Sequence, residues 1–372
     1  MGNKTGQELY NERLERITKA MNLEKPDRTP IGLDGPGFIK YADPSAKLAD
    51  YIRRPKWAND MVLKAHAMLE EIDVAPMGGL NYTSMGAMWL SRTKLPGREL
   101  PEDALWQIDE VGAMTEEDYD TIINKGWNAF SGDFLINRLG YKPEELAPDM
   151  EALGESARKT TELGLVNVIG AVLLPPFELL SGARSVSKFY RDLHRIPDKV
   201  IAAMDVMQQE IIEGLRTQIR STKPMAVFIG ATRSAGEFIS LKKFEKFAWP
   251  YTRSISYAII EEGSKPWFHH DSCWDANIPY FAEFPKASCV FDPDGMTNIF
   301  KMKELLGDKM CITGDVQPAL LAIGTPDEVY RYARKINDEI GPEGFIMWSG
   351  CSVPPNTPLE NIKAVIAAAT GK

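Results

Sequence analysis

The sequence predicts an α/β chain folded as a single (β/α)8 (TIM) barrel, and three observations predict it. Short β-rich runs alternate with helical stretches, the pattern of a parallel α/β architecture. There are eight such runs along the 372 residues, the strand number that the barrel requires and a length that suits an elaborated one. The acidic, His and Cys residues gather at or just past the ends of those runs, where barrels of this kind assemble their active sites.

The expected strands are Thr29–Asp34, Ile72–Pro76, Val166–Val172, Met225–Gly230, Lys265–His270, Ala287–Asp292, Lys309–Gly314 and Gly344–Ser349. Residues 1–25 form a helical extension ahead of the first strand. Between strands, Val200, Ile201, Met204, Met207, Ile211, Ile212 and Leu215 recur at helical spacing after Pro197, giving a helix with an apolar face. Thr325-Pro326-Asp327-Glu328 combines a capping Thr, a first-turn Pro and a Glu at the third helical position, and Thr357-Pro358-Leu359-Glu360 repeats it. The stretch 77–137 is longer than a barrel crossover needs and reads as an insertion over the barrel mouth that shapes a pocket. The whole chain, 1–372, reads as one domain, without internal repeats or a long linker.

Composition narrows the function. Apolar residues at 44% and charged residues at 26% support an ordinary globular core. No apolar run approaches the ~18–20 residues of a membrane span. A net charge of −9 opposes nucleic-acid binding, which requires a basic face. The N-terminus has no hydrophobic signal region, and the four cysteines, at 273, 289, 311 and 351, form no disulfide framework, so a cytoplasmic location is expected. Cys289 and Cys311 sit inside apolar strands and read as buried thiols.

The richest segment is His269-His270-Asp271-Ser272-Cys273-Trp274, straight after the apolar run Pro266-Trp267-Phe268. On an extended strand alternate side chains share a face, which puts His269, Asp271 and Cys273 together and His270 on the other side, as support from behind. Cys351, at the end of the eighth strand, supplies a second thiol. Imidazole, carboxylate and thiolate suit zinc, with His269 and Cys351 as the leading ligands and Asp271 or Cys273 completing the set. Asp34, Asp292, Asp315 and Glu178 are candidate acids, with Asp292 and Asp315 favoured by their strand-end positions. Tyr82, Met85, Trp89, Trp274 and Trp348 are candidate apolar walls of a substrate pocket. The glycines of Gly230–Gly236 lack the Lys-Ser/Thr of a phosphate-cradling loop.

Four segments, Lys94–Glu110, Gly314-Asp315-Val316-Gln317-Pro318, Gly324–Val329 and Gly350–Asn361, resemble the uroporphyrinogen decarboxylase superfamily, over the chain from about residue 25 onward. The resemblance implies a barrel with an open cleft at the strand carboxyl ends, often as a homodimer. Decarboxylases of that superfamily carry an Arg-rich motif for the substrate carboxylates, whereas Arg28–Phe38 here holds no Arg cluster. The other branch, the cobamide-dependent methyltransferases, carries zinc on an H-x-C motif plus a distant Cys. His269 and Cys351 match that pattern, but Asp271 stands where the first Cys would be.

A carboxylate in place of a sulfur makes such a site harder and better matched to oxygen. The expected activity is therefore transfer of a methyl group from a methoxylated, aromatic donor to the Co(I) centre of a partner corrinoid protein, since this chain holds no D-x-H-x-x-G cobalamin motif. Methylation of a thiol from methylcobamide is the alternative. A decarboxylase without metal and a non-catalytic corrinoid-pathway binding protein stand behind it.

Overall fold

The computed structural model describes residues 4–76 and 82–372. The start of the expected insertion, Met77–Asn81, and the first three residues of the N-terminal extension lie outside the described residues. Two short strands come first, β1 (Arg92–Lys94) and β2 (Gln107–Asp109), then β3 (Ile169–Leu173), β4 (Ala226–Ala231), β5 (Lys265–His270), β6 (Val290–Pro293), β7 (Cys311–Val316) and β8 (Phe345–Ser349). β3 to β8 follow one another in that order in one sheet. β5 and β6 run parallel with His269 opposite Asp292, and β7 and β8 run parallel with Asp315 opposite Trp348. Every residue of β6, β7 and β8 is buried, as befits parallel strands covered on both faces.

The first two expected strands are reduced to single parallel bridges, Ile31 with Met347 and Val74 with Val166. The amides of Asp73 and Val74 both donate to the Ile31 carbonyl, at 2.8 and 3.1 Å. The Ile31–Met347 bridge is made by the Gly32 amide on the Met347 carbonyl and the Met347 amide on the Pro30 carbonyl, both at 2.9 Å, and Pro30, which has no N–H, cannot extend it as a donor. All eight expected runs thus take part in the (β/α)8 barrel.

The chain divides into two compact units. The first comprises Met1–Gly79, Asp149–Ile169 and Trp267–Lys372. In it the helix Gly6–Met21 is fastened by a buried charge cluster. Asp73, fully buried, accepts Arg16 Nη1 at 2.6 Å, Arg28 Nη1 at 2.8 Å and the Ile31 amide at 2.8 Å. Arg16 also grips Asp27 through two bonds of 2.7 and 2.6 Å. Thr325 and Glu328 form the expected capping box ahead of the helix Pro326–Glu339. The helix Leu359–Thr370 begins one residue later than its Thr-Pro signal implies, with Pro358 at the cap. Thr357 is then one position too early to reach an amide of the first turn, and its buried hydroxyl has no partner among the described residues.

The second unit comprises Leu80–Pro148 and Gly170–Pro266. Its described insertion residues open with a 3-10 helix, Tyr82–Trp89, and then β1 and β2, an antiparallel pair with Thr93 opposite Ile108. The apolar stripe after Pro197 becomes the helix Pro197–Thr222, which buries Val200, Met204, Met207 and Leu215. Among the described residues no helix is long and apolar enough to cross a membrane.

Candidate metal centre

β5 ends at His270, and the chain then reverses. Ser272 takes a left-handed conformation, φ +76°, uncommon for a residue with a side chain. Its amide donates to Asp294 Oδ2 at 2.6 Å. Two residues on, the Trp274 amide donates to Thr297 Oγ1 at 2.9 Å and its indole N–H to the Asp271 carbonyl at 2.7 Å. These bonds hold Asp271 beside His269 and break the alternation at Ser272.

One nitrogen of His269, one carboxylate oxygen of Asp271 and the sulfur of Cys351 lie within 4.8 Å of one another, the group of metal-ligating type found among the described residues. His269 Nε2 is 3.4 Å from Asp271 Oδ1. Cys273, which strand alternation alone places with them, is not in the group, because the turn at Ser272 ends the alternation. Cys351 reaches the cluster because Gly350 packs directly on the Asp294 backbone; a Cβ there would sit 2.2 Å from the Asp294 carbonyl oxygen.

Behind His269 stands Asp292. Its Oδ2 lies 2.7 Å from His269 Nδ1 and accepts the Trp267 indole N–H at 3.0 Å, while its Oδ1 accepts Thr313 Oγ1 at 2.6 Å. A carboxylate on Nδ1 holds the proton there and turns the Nε2 lone pair toward Asp271 and Cys351, the outer-shell arrangement typical of metal-ligating histidines. Burial opposes charge on this ring. The Asp292 charge, with hydrogen bonds from the ring to Asp271, Asp292 and Cys351, outweighs burial and holds the imidazole well above its ordinary pKa. A cluster that stabilises a proton on the ring also stabilises a metal cation, which takes that proton's place.

His270 faces the other way, as alternation requires, but into an aromatic core. It lies 4.2 Å from the Trp274 ring and packs on Phe281 and Phe291. Neither ring nitrogen has a hydrogen-bond partner among the described residues, and burial, with the neighbouring His269, pushes its pKa down to about 3. Support for the cluster comes from Asp292 instead.

The other candidates are placed as follows. Asp34 is half-buried, and its Oδ1 accepts the Gly35 amide at 2.7 Å. Asp315, 1% exposed, accepts the hydroxyl of Tyr332, on the helix Pro326–Glu339, at 2.8 Å. Glu178 belongs to the second unit, where it is buried and accepts the amides of Arg233 and Ser234 at 3.0 and 2.9 Å. Trp274 is core, 1% exposed. Trp348 is buried edge-on to Trp267 at 5.6 Å and lies so close over Gly32 that a Cβ there would fall 1.8 Å from its ring. Tyr82, Met85 and Trp89 lie on the 3-10 helix of the second unit; Met85 is buried, and Trp89 is half-buried and stacks on Trp106. Cys289 and Cys311 are buried. Sequence reasoning passed over Trp267, Thr313, Gly350 and Asp294. The last had a signal in Asp292-Pro293-Asp294, two carboxylates at the end of one strand.

Burial, reinforced by Asp294 and Asp292, pushes Asp315 up from 3.8 to about 7 against the opposing Tyr332 hydrogen bond. Its folded-state pKa is raised, so its stabilising contribution is complete below the unfolded value and is lost as pH rises through about 7. Asp315→Asn is therefore expected to flatten the pH dependence of stability between about 4 and about 7, and to be more stable than the parent above that window. Urea unfolding at about pH 5 and about pH 8 checks this; an unchanged slope would count against it.

Fold and cluster together define the class: a (β/α)8 barrel with a candidate metal centre at the carboxyl ends of its fifth and eighth strands. The chain belongs to the uroporphyrinogen decarboxylase (URO-D) family, whose profile matches residues 136–371. It is 26% identical over 183 residues to the uroporphyrinogen decarboxylase of Syntrophotalea carbinolica, an alignment covering 49% of this chain and 51% of that one. A uroporphyrinogen decarboxylase of Helicobacter pylori is 26% identical over 196 residues, covering 50% of this chain and 52% of that one. The chain spans about half the length of the curated relatives it matches. Among solved structures, a methyltransferase from Methanosarcina mazei superposes with a TM-score of 0.72 over 99% of both chains, at 15% identity, which is likeness of fold.

Proposed function

We propose that this chain is a methyltransferase that takes a methyl group from a methoxylated, aromatic donor and passes it to the Co(I) centre of a corrinoid held by a partner protein. The observation that carries this reading is the convergence of His269, Asp271 and Cys351 with Asp292 bonded behind the imidazole. That donor set fits zinc: three side chains of N, O and S type are close enough to share one ion, and His269 already has its orienting carboxylate. Zinc bound there supplies Lewis acidity for the departure of an alkoxide or phenoxide, otherwise a poor leaving group.

The protein's own residues do the remaining work. Asp292 holds the proton on Nδ1 and so keeps Nε2 free toward the cluster. Asp294 holds the Ser272 amide and, through the turn, the Asp271 carboxylate. With Asp292 committed to His269, Asp34 and Asp315 are the remaining strand-end candidates for the acid that protonates the departing oxygen. In the transfer, the methyl carbon–oxygen bond breaks with its electron pair left on oxygen, and Co(I) supplies the pair for the new cobalt–carbon bond.

Two observations favour this over its rivals. The cluster has one sulfur, whereas activation of a thiol substrate is favoured by a sulfur-rich site. Decarboxylation of a polycarboxylate needs free cations, and Arg28, the arginine of the Arg28–Phe38 region, is engaged by Asp73 and by the carbonyls of Thr29 and Glu71.

The test mixes the protein with a reduced corrinoid protein and a panel of methoxylated aromatics, methanol, methylamines and methyl thiols, following methyl-cobalt formation by absorbance. Methoxylated aromatics are expected to respond. A response to methyl thiols alone transfers the reading to thiol chemistry, and silence from every donor overturns it.

A further inference from the structure

Cys351 is the cluster member most remote in sequence from the other two, and it sits on a loop rather than a strand. What places its sulfur is visible in the backbone on either side. Before it, Gly350 lies against Asp294, and its amide donates to the Val316 carbonyl at 3.1 Å. After it, Val353 is fully buried and its amide donates to the Asp34 carbonyl at 2.8 Å. The segment Asp34–Gly37 then presses on this loop through two glycines. A Cβ on Gly35 would lie 2.3 Å from the Val353 oxygen and 2.7 Å from its nitrogen, and a Cβ on Gly37 would lie 2.7 Å from the Pro355 Cα. All of these are backbone atoms, which cannot swing aside as the end of a side chain does. Tyr51 donates to the Pro36 carbonyl at 3.1 Å and Tyr41 to the Thr357 carbonyl at 2.8 Å, so both sides of the contact are anchored again from outside.

We infer that Gly35 and Gly37 are positioning residues for Cys351: they form a backbone clamp, closed on residues 353–355, that sets where the thiol meets His269 and Asp271. The physical reason is the missing Cβ. Only glycine lets the two loops approach within hydrogen-bond distance, and any side chain must push the 351–355 loop outward while leaving β5 untouched. The clamp is thus expected to act on the sulfur alone among the three donors. The inference rests on the reading of Cys351 as a metal ligand, but the clamp also governs the thiol without metal.

The experiment uses the full-length protein and the variants Gly35→Ala, Gly37→Ala and Val353→Ala, with Gly154→Ala as the control, since nothing lies within 4 Å of a Cβ at that helical glycine. Co(II) titration reads the near-ultraviolet thiolate-to-cobalt band, which the parent is expected to show and Cys351→Ser to lack. Gly35→Ala and Gly37→Ala are expected to weaken Co(II) binding by about 10- to 100-fold and to diminish that band, with an unchanged far-ultraviolet dichroism spectrum. In metal-free protein, alkylation of Cys351 by iodoacetamide, followed at the peptide level, is expected to speed up in both alanine variants. Val353→Ala loosens the clamp without a clash, so it keeps the test open if alanine at 35 or 37 prevents folding; it too is expected to speed alkylation. Parental binding, band and alkylation rate in these variants overturn the clamp. A parent without the cobalt band, but with faster alkylation in the variants, overturns the metal reading and leaves the clamp standing.

Discussion

On the proposed methyl-transfer reading, replacing Cys351 by Ser, or His269 by Ala, is expected to abolish zinc binding and to lower methyl transfer by about 100-fold or more, roughly 2.7 kcal/mol of transition-state stabilisation. Each substitution removes one of three converging donors, and a carboxylate with one remaining partner does not hold zinc against water. Asp292→Asn is the graded member of the same series. It leaves all three donors but replaces a charged acceptor on Nδ1 by a neutral amide, and the expected loss of zinc affinity is about 10- to 100-fold. Cys273→Ser is the contrast, since Cys273 stands outside the cluster, and it should retain zinc. Metal analysis after dialysis, paired with the methyl-cobalt assay, reads the series. Full zinc in Cys351→Ser, or loss of zinc in Cys273→Ser, would contradict the ligand set.

The largest expected stability effect lies elsewhere, at Asp73. This carboxylate is fully buried and joins Arg16, Arg28 and the Ile31 amide, so the N-terminal helix, the first barrel strand and the second all meet on it. Asp73→Ala takes the shared counter-charge from Arg13, Arg16 and Arg28, of which Arg16 keeps Asp27, and leaves one buried amide without its acceptor. Breaking a buried pair from one side costs about 3–5 kcal/mol. Urea unfolding of Asp73→Ala should show a loss of that order, with Asp73→Asn intermediate because its amide oxygen still accepts the Ile31 N–H. A loss below about 1 kcal/mol would mean that water replaces the carboxylate.

The barrel strands were legible because they are apolar runs bounded by Gly, Pro and Asp, a pattern set by burial on both faces. β1 and β2 were not, since Arg92-Thr93-Lys94 and Gln107-Ile108-Asp109 are too short and polar to show a period. The terminal helix was legible as a helix, but not its start, because a Thr-Pro signal leaves open which of the two residues caps. Within the site, the strand-end rule drew attention to His269 and Cys351, and Asp271 stood out as unusual against the H-x-C pattern of the resembling methyltransferases. Trp274 and Trp348 read as pocket walls by type, whereas packing against His270 and over Gly32 places both in the interior.

What the sequence by itself determined is the fold class and the strand positions, because burial pattern is a local property of the chain; strand-end chemistry also put His269 and Cys351 forward as candidate ligands. Only the tertiary structure brings Asp271, and not Cys273, together with His269 and Cys351. That choice rests on Ser272, whose left-handed turn is held by Asp294 from the next strand, and on Gly350, Gly35 and Gly37, whose missing side chains let distant loops close around Cys351. These are contacts between segments far apart in sequence, and no local period records them.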